Sequence, residues 1–171
     1  LTRPIEAMGC VVLENQQISV TLPLLNELVK NNVAVVLCDN KQMPTAMLQC
    51  LDGNTTQAES LKYQLAVGEA TKKQAWKQII EAKIKNQAVV LRHYGKRSEL
   101  LTPYYKNVKS GDTDNREGLA AKQYWTELFG GCFKRDREGG SPNDLLNYGY
   151  AILRAATTRA LIGSGLLPNL G

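Results

Sequence analysis

Three carboxylates lie together just before a predicted helix in the second half of the chain. Asp112, Asp114 and Glu117 fall within the six residues "DTDNRE". Clustered carboxylate oxygens are ligands that Mg²⁺ and similar divalent cations accept. The D-x-x-E spacing of Asp114 and Glu117 is also typical of a capping box at a helix N-terminus. The spacing alone therefore leaves Glu117 with two open roles, a helix cap or a metal ligand.

The basic residues form two groups in a chain whose formal net charge is +5. The group on a predicted helix consists of Lys72, Lys73, Lys77, Lys83 and Lys85. The group on a predicted loop consists of Lys134, Arg135 and Arg137. A positive surface favours an acidic partner, of which nucleic acid is the commonest. For the loop, contact with a DNA backbone and simple solvation remain equally open.

Composition and motifs exclude several classes of protein. Hydrophobic residues make up 43% and charged residues 22% of the chain, which is typical of a globular protein. The longest apolar run, "VAVVLC", is far too short to span a membrane, and no signal peptide pattern is visible. Neither G-x-S-x-G nor H-E-x-x-H occurs. The four cysteines lack C-x-x-C spacing, and we interpret them as reduced, mostly buried thiols of a cytoplasmic protein.

The first fifty residues carry a β-rich pattern with one helix. We predict strands at "GCVVLE", "QISVT" and "VAVVLCD", with a helix over "LPLLNELVKNN" between the last two. Thr21 is the expected N-cap, and Pro23 suits the first turn. The third strand is apolar throughout, which indicates burial on both faces.

The remainder of the chain has a helical pattern after the polar, turn-rich segment "LDGNTTQAES". We predict a long helix over residues 71–95, opened by a T-x-x-Q capping box and ended by Gly95. The residues that share its apolar face are Trp76, Ile80, Ile84 and Leu91. Gln87 falls on the same face, and because a buried amide needs partners, it either ties two helices together or points into a site.

A second long helix is predicted over residues 143–163, "NDLLNYGYAILRAATTRALIG", with Asn143 as its N-cap. Small residues cover much of its surface, which suits close packing against other helices. His93, the only histidine of the sequence, falls at the end of the preceding long helix, where an exposed or capping role is expected.

Five stretches resemble one known family in their amino-acid sequences and in their order along the chain. They are "PIEAMGCVVLENQQISVT", "NNVAVVLCDNKQMP", "AKIKNQAVVL", "SGDTDNREGLAAKQYW" and "DREGGSPNDLLNYGYAILRA". The family is that of the CRISPR adaptation integrases, the Cas-one family, and the sequence is most similar to members from type II systems. The resemblance covers essentially all 171 residues.

The resemblance implies a divalent-metal-dependent DNA endonuclease and integrase that inserts new spacers into a CRISPR array. Family members hold Mg²⁺ or Mn²⁺ with a Glu, a His and an Asp, and Glu117 matches the glutamate. Neither the family histidine nor the aspartate has a match here, and His93 does not correspond to that histidine. The implied partners are double-stranded DNA (protospacer and repeat), the Cas-two adaptation protein and a second copy of the chain, with no membrane.

We therefore expect an α+β chain in three segments: a partial N-terminal β domain over 1–52, a linker over 53–60 and a helical catalytic domain over 61–171. By the resemblance, the chain is a fragment that lacks opening strands and ends before the His and Asp ligands, and it is expected to be inactive alone. The DNA-binding candidates are Lys134, Arg135 and Arg137, which are expected to contact the DNA backbone, together with Asn143 and Tyr148. The alternative is a non-catalytic basic module that binds DNA or a partner and uses Glu117 only as a helix cap.

Overall fold

A small mixed sheet forms around the most apolar segment of the chain in the computed structural model, which describes residues 2–48, 50 and 54–170. Within that part, strands β1 (Cys10–Leu13), β2 (Ala34–Cys38) and β3 (Pro44–Leu48) lie in the order β1-β2-β3. β1 is parallel to β2, and β3 is antiparallel to β2. The central position of β2 explains its uniformly apolar sequence and confirms that it is buried on both faces.

Helix α1 (Leu22–Lys30) connects β1 to β2 and packs on the sheet. Its Leu28 is buried in one cluster with Val33 and Val35. Thr21 occupies the N-cap position as expected, but its side chain makes no capping hydrogen bond. The predicted helix between two strands is confirmed, because its apolar face and its early proline both agree with the local structure.

The strand expected at "QISVT" is wrong, and the strand β3 was missed. Residues 17–21 lie in neither a helix nor a strand, since Asn15 Oδ1 accepts the Gln17 amide at 2.8 Å and turns the chain. The free edge of β2 is instead filled by β3, after a turn in which Asp39 Oδ1 accepts the Lys41 and Met43 amides. A strand that begins with proline gives a weak sequence signal.

Helix α3 (Glu69–His93) begins two residues before the predicted start, with Gly68 as N-cap. The T-x-x-Q capping box is therefore wrong, because Thr71 already lies inside the helix. Ile80, Ile84 and Leu91 are fully buried as predicted. Trp76, on the same predicted face, is 47% exposed. The helix ends as expected, with Gly95 at φ 64° and the Lys96 amide bonded to the Leu91 carbonyl.

The remaining α-helices described by the structure are α2 (Gln57–Ala66), α4 (Thr102–Lys106), α5 (Arg116–Phe129) and α6 (Asn143–Gly163). Short 3₁₀ helices are described at Ile5–Ala7, Ser98–Leu101 and Ser110–Asp112. α6 has the bounds that the sequence predicts, although Pro142 rather than Asn143 takes the N-cap position. The architecture is α+β, with a small sheet in the N-terminal part followed by a mainly helical chain. This confirms the expected fold class. Within the described residues, no helix is both long and apolar enough to cross a membrane.

The chain divides into two compact units, one of Leu1–Ala66 with Arg137–Gly171 and one of Val67–Asp136. This division differs from the domain boundaries expected at 1–52, 53–60 and 61–171, which stay a prediction. Part of the expected linker is helical, because α2 begins at Gln57. Residues 51–53, where the expected β domain ends and the expected linker begins, lie outside the described residues.

The cysteines are free thiols, as expected, but they are not mostly buried. Cys10 and Cys132 are exposed, while Cys38 and Cys50 are half-buried. Partial burial raises the pKa of the Cys10 thiol. A raised pKa lowers the fraction of reactive thiolate, which disfavours a nucleophilic role for Cys10.

Candidate metal and DNA-binding residues

The three carboxylates predicted to cluster before α5 have three separate partners. Asp112 is the last residue of the 3₁₀ helix Ser110–Asp112, and its carboxylate accepts the backbone amides of Arg116 and Glu117 at 2.7 and 3.0 Å. It thereby satisfies two of the amides that a helix start leaves without partners. Its negative charge also suits the positive end of the helix dipole.

Asn115, rather than Asp114, is the N-cap of α5. Its side-chain oxygen accepts the Gly118 amide at 3.1 Å, and its backbone lies in the left-handed region at φ 50°. Asparagine is among the few residues that tolerate this conformation and among the best N-caps. The D-x-x-E capping box of Asp114 and Glu117 is therefore wrong.

Asp114 forms ion pairs outside the helix. Its Oδ2 lies 2.8 Å from Lys109 Nζ and 3.8 Å from Arg116 Nη2. The hydrogen bond from Lys109 lowers the pKa of the Asp114 carboxyl below its usual value, and the charges of Lys109 and Arg116 act in the same direction.

Glu117 lies in the first turn of α5 and points its carboxylate to α3. Its Oε1 accepts a hydrogen bond from Lys83 Nζ. The Glu117 side chain is 31% exposed, and that of Lys83 is 45% exposed. The cap role proposed for Glu117 is wrong, because the carboxylate is bound by a lysine from another helix while Asn115 and Asp112 supply the cap.

Glu117 alone does not make a metal site. Throughout residues 2–48, 50 and 54–170, no three His, Cys, Asp or Glu side chains come together as a cation-binding group. The charge of the Glu117 carboxylate is also balanced by Lys83. The described residues therefore do not fit a bound Mg²⁺ or Mn²⁺ by themselves, since such an ion commonly takes several oxygen ligands.

Gln87 lies one turn beyond Lys83 on α3 and is half-buried. Its Oε1 is fully buried and has no hydrogen-bond partner. A buried acceptor without a donor is energetically costly. The Gln87 oxygen therefore does not form the hydrogen bond between helices that the sequence allowed. The sequence could indicate its burial from helical periodicity, but not its missing partner.

The lysines of α3 are mostly paired with carboxylates. Lys72 lies 3.2 Å from Glu69, while Lys77 and Lys85 lie 3.8 and 3.9 Å from the two oxygens of Glu81. Pairs of this kind at i,i+3 and i,i+4 spacing stabilise a helix slightly. Neighbouring carboxylates therefore offset part of the positive charge of the lysines on this helix.

The predicted DNA contacts are divided between the two units. Lys134 and Arg135 belong to the unit of residues 67–136, where Lys134 is exposed and Arg135 is half-buried. The Arg135 guanidinium lies 6.0 Å from the centre of the Trp125 ring, and its Nη1 donates to the Asp136 carbonyl at 2.9 Å. Cation–π contact of this kind orients the guanidinium.

Arg137, Asn143 and Tyr148 belong to the other unit. Arg137 is exposed, and its carbonyl accepts the Asn147 side-chain amide at 2.7 Å. Asn143 is only 7% exposed, which suits a structural role at the start of α6 better than contact with DNA. Burial raises the pKa of the Tyr148 hydroxyl, and the charge of Glu14 adds to the increase. The DNA contacts of all five residues stay predictions.

The entire chain, residues 1–171, matches the family model of CRISPR associated protein Cas1. The chain belongs to the Cas1 family, and the resemblance found in the sequence is confirmed.

Two curated relatives show how far the likeness extends. The CRISPR-associated endonuclease Cas1 of Neisseria meningitidis serogroup C (strain 8013) is 38% identical over 172 residues, which cover 99% of this chain and 56% of the relative. The CRISPR-associated endonuclease Cas1 2 of Pyrobaculum aerophilum is 28% identical over 182 residues, covering 98% of this chain and 62% of the relative. The chain thus spans a little over half the length of these relatives.

A solved structure of similar fold is that of a casposase bound to integration product. It aligns with a TM-score of 0.52 at 21% identity, over 96% of this chain and 55% of the casposase chain. The likeness concerns the fold alone.

Proposed function

We propose that these 171 residues belong to a DNA endonuclease and integrase that inserts new spacers into a CRISPR array, and that Glu117 is one of its metal ligands. The observation that carries the proposal is the placement of Glu117 in a chain of the Cas1 family. Its carboxylate lies at a helix start, half-exposed, and caps nothing. Its partner is the Lys83 ammonium of α3, so the carboxylate already binds a positive charge, and a metal ion is proposed to take that role.

The proposed metal is Mg²⁺ or Mn²⁺, both of which prefer oxygen ligands. Such an ion would polarise the scissile phosphate. Because the described residues hold no complete ligand set, the proposal requires further ligands from outside them. For the same reason, the 171-residue chain alone is expected to be inactive with either metal.

DNA is proposed to bind through its phosphates rather than its bases. The chain has a formal net charge of +5, and the loop with Lys134, Arg135 and Arg137 presents guanidinium and ammonium groups that neutralise phosphate irrespective of sequence. This suits an enzyme that must accept many different protospacers. The same proposal includes two protein partners, the Cas-two protein and a second copy of this chain. It also includes a cytoplasmic location.

The structure removes one premise of the alternative, a non-catalytic binding module. That alternative gave Glu117 the role of helix cap, and Asn115 and Asp112 fill this role instead. A binding module would leave Glu117 with only its ion pair to Lys83, a surface contact that typically contributes about 0–1 kcal/mol.

Strand transfer is the direct test of the proposal. The full-length gene product, mixed with a short double-stranded DNA and a supercoiled plasmid carrying a CRISPR repeat, should join the DNA to the plasmid when Mn²⁺ or Mg²⁺ is added. It should do nothing when EDTA is present. DNA binding without joining in either metal would support the binding module and overturn the proposed enzyme.

A further inference from the structure

The N-terminal half of α3 exposes a tryptophan and an isoleucine one helical turn apart. Trp76 is 47% exposed and Ile79 is 56% exposed, although the next residue, Ile80, is fully buried. Residues three apart on a helix are neighbours, so Trp76 and Ile79 form one apolar surface. Single exposed apolar side chains are ordinary, whereas an exposed indole ring beside an exposed isoleucine is a candidate contact surface.

Lysines lie on both sides of this apolar surface. Lys72 and Lys73 precede Trp76 by four and three residues. Lys83 follows Ile79 by four residues. These spacings make the lysines neighbours of the two apolar side chains along the helix, and all three lysines are exposed. The apolar surface is therefore flanked by ammonium groups at both ends.

The charge of the whole unit favours an anionic ligand. Residues 67–136 contain 14 Lys and Arg against 8 Asp and Glu, whereas the rest of the chain contains 7 against 8. The positive charge of the chain is thus carried by the unit that contains α3. The helix begins at Glu69, so the positive end of its dipole lies near Lys72.

The existing ion pairs of these lysines do not prevent contact with an anion. Lys72 lies 3.2 Å from Glu69, and both side chains are exposed. Ion pairs at the surface are weak, so a phosphate can take the place of the carboxylate. The stem of Lys73 lies against Gly111, where a β-carbon would come within 3.3 Å of Lys73 Cγ. This contact holds the stem of Lys73 beside α3.

An exposed indole ring between lysines suits nucleotides that are not base-paired. Unpaired bases stack on aromatic side chains with little regard to sequence, while cations follow the phosphates. The bases of a duplex are already stacked on one another and offer the ring of Trp76 no free face. The proposed function makes DNA the anion, and the other anionic partner of this surface, an acidic protein, is an outcome of the test.

We propose that the α3 surface of Lys72, Lys73, Trp76, Ile79 and Lys83 binds a short unpaired segment of DNA. Trp76 stacks on one base, Ile79 contacts the adjoining nucleotide, and the lysines hold the phosphates on either side. Lys72 and Lys83 are separated by about 16 Å along the helix axis, which is room for a few nucleotides. The inference rests on the proposed function for its ligand, DNA, but requires no metal ion.

The test is the affinity of the full-length gene product for fluorescein-labelled oligothymidylate in EDTA, measured by fluorescence anisotropy. Trp76→Ala should weaken binding about 5- to 150-fold, which corresponds to the loss of one stacked base. Trp76→Phe keeps an aromatic ring and should lose much less. Binding of a blunt duplex should change little in either variant. A loss for Trp76→Phe as large as that for Trp76→Ala would overturn the stacking contact.

Tyr63→Ala is the matched control for the ring. It removes an exposed aromatic side chain from α2, a helix with one glutamate and one lysine, and should leave the affinity unchanged. Thermal unfolding verifies that each variant is folded. Trp76→Leu, which is apolar but has no ring, replaces Trp76→Ala if the latter does not fold. Unchanged affinity in the folded variant, or an equal loss in Tyr63→Ala, would overturn the inference.

The lysines are tested by the salt dependence of oligothymidylate binding. Lys72→Gln combined with Lys73→Gln should lower the slope of log affinity against log salt by about 0.7 per residue. Lys30→Gln combined with Lys62→Gln removes the same charge from the other unit. Like Lys72, Lys30 is paired with a glutamate three residues before it. Equal slopes for the two double variants would overturn the phosphate contacts.

The outcomes separate this inference from the proposed function. If the unmodified protein joins DNA to the plasmid but Trp76→Ala binds oligothymidylate normally, the function stands and only the inference is overturned. If the unmodified protein binds neither oligothymidylate nor duplex, both fail. If Trp76→Ala keeps its affinity for oligothymidylate but loses a protein partner, the surface is a protein contact and the inference is overturned.

Discussion

The Lys83 ammonium on α3 donates to the Glu117 carboxylate on α5. This pair joins two helices of one compact unit at the start of α5, where the sequence allows both a helix cap and a metal ligand. The pair gives the Glu117 carboxylate a partner on another helix rather than at the helix start. Asn115 and Asp112 meanwhile hold the helix start through backbone amides.

The first prediction concerns this helix start. Asn115→Ala should lower the free energy of unfolding by about 0.5–2 kcal/mol, because it removes an N-cap hydrogen bond. Asp114→Asn, which weakens only surface ion pairs, should lower it by less than Asn115→Ala does. Chemical denaturation measures both. A larger loss for Asp114→Asn than for Asn115→Ala would restore the capping box read from the sequence.

The sequence pattern did not predict which of the neighbouring residues Asp114 and Asn115 caps α5. The pattern D-x-x-E fits Asp114 and Glu117, and nothing in it reveals that Asn115 adopts a left-handed conformation. Helix periodicity did predict the burial of Ile80, Ile84 and Leu91 and the bounds of α6, because these depend on residues within one element.

Contacts between distant segments could not be predicted in this way. β3 forms because β2 has a free edge and Asp39 closes the turn, which no local pattern fixes. The partner of Glu117 is 34 residues away in the sequence. The spacing left the metal-ligand role of Glu117 open beside the cap, and the resemblance favoured it. Within the described residues, no group of three His, Cys, Asp or Glu side chains forms a cation site.

The second prediction concerns stability in acid. Hydrogen bonding from Arg97 lowers the pKa of Glu127, and the charge of Arg97 acts in the same direction. A carboxyl whose pKa is lower in the folded state stabilises the fold above its unfolded pKa, which is about 4.3, and loses that contribution as the pH falls through the folded value. Glu127→Gln should therefore flatten the decline of the melting temperature between neutral and acidic solution.

Glu59→Gln is a suitable control for this measurement, because Glu59 is an exposed glutamate of α2. It should leave the acidic decline as steep as in the unmodified chain. If the melting temperature of Glu127→Gln declined as steeply in acid as that of the unmodified chain, the Glu127–Arg97 pair would make no pH-dependent contribution to stability.

The third prediction concerns DNA. Replacing Lys134, Arg135 and Arg137 together by Ala should weaken binding similarly for unrelated sequences. If each contacts one phosphate, the slope of log affinity against log salt should fall by about 0.9 per residue. Fluorescence anisotropy at several salt concentrations measures this. The exposed lysines Lys41, Lys62 and Lys106, replaced together, remove the same charge and should change the slope less. Equal slopes for both triple variants would mean that the loop is merely solvated.

The account depends most on Glu117 as a metal ligand, and strand transfer by Glu117→Ala in the full-length gene product tests this most directly. The variant should remain folded, since the carboxylate caps nothing and loses only an ion pair worth about 0–1 kcal/mol. We expect joining of DNA to a repeat-bearing plasmid to fall below detection in both Mg²⁺ and Mn²⁺, while DNA binding persists. Near-normal joining by a folded Glu117→Ala protein in either metal would contradict the account.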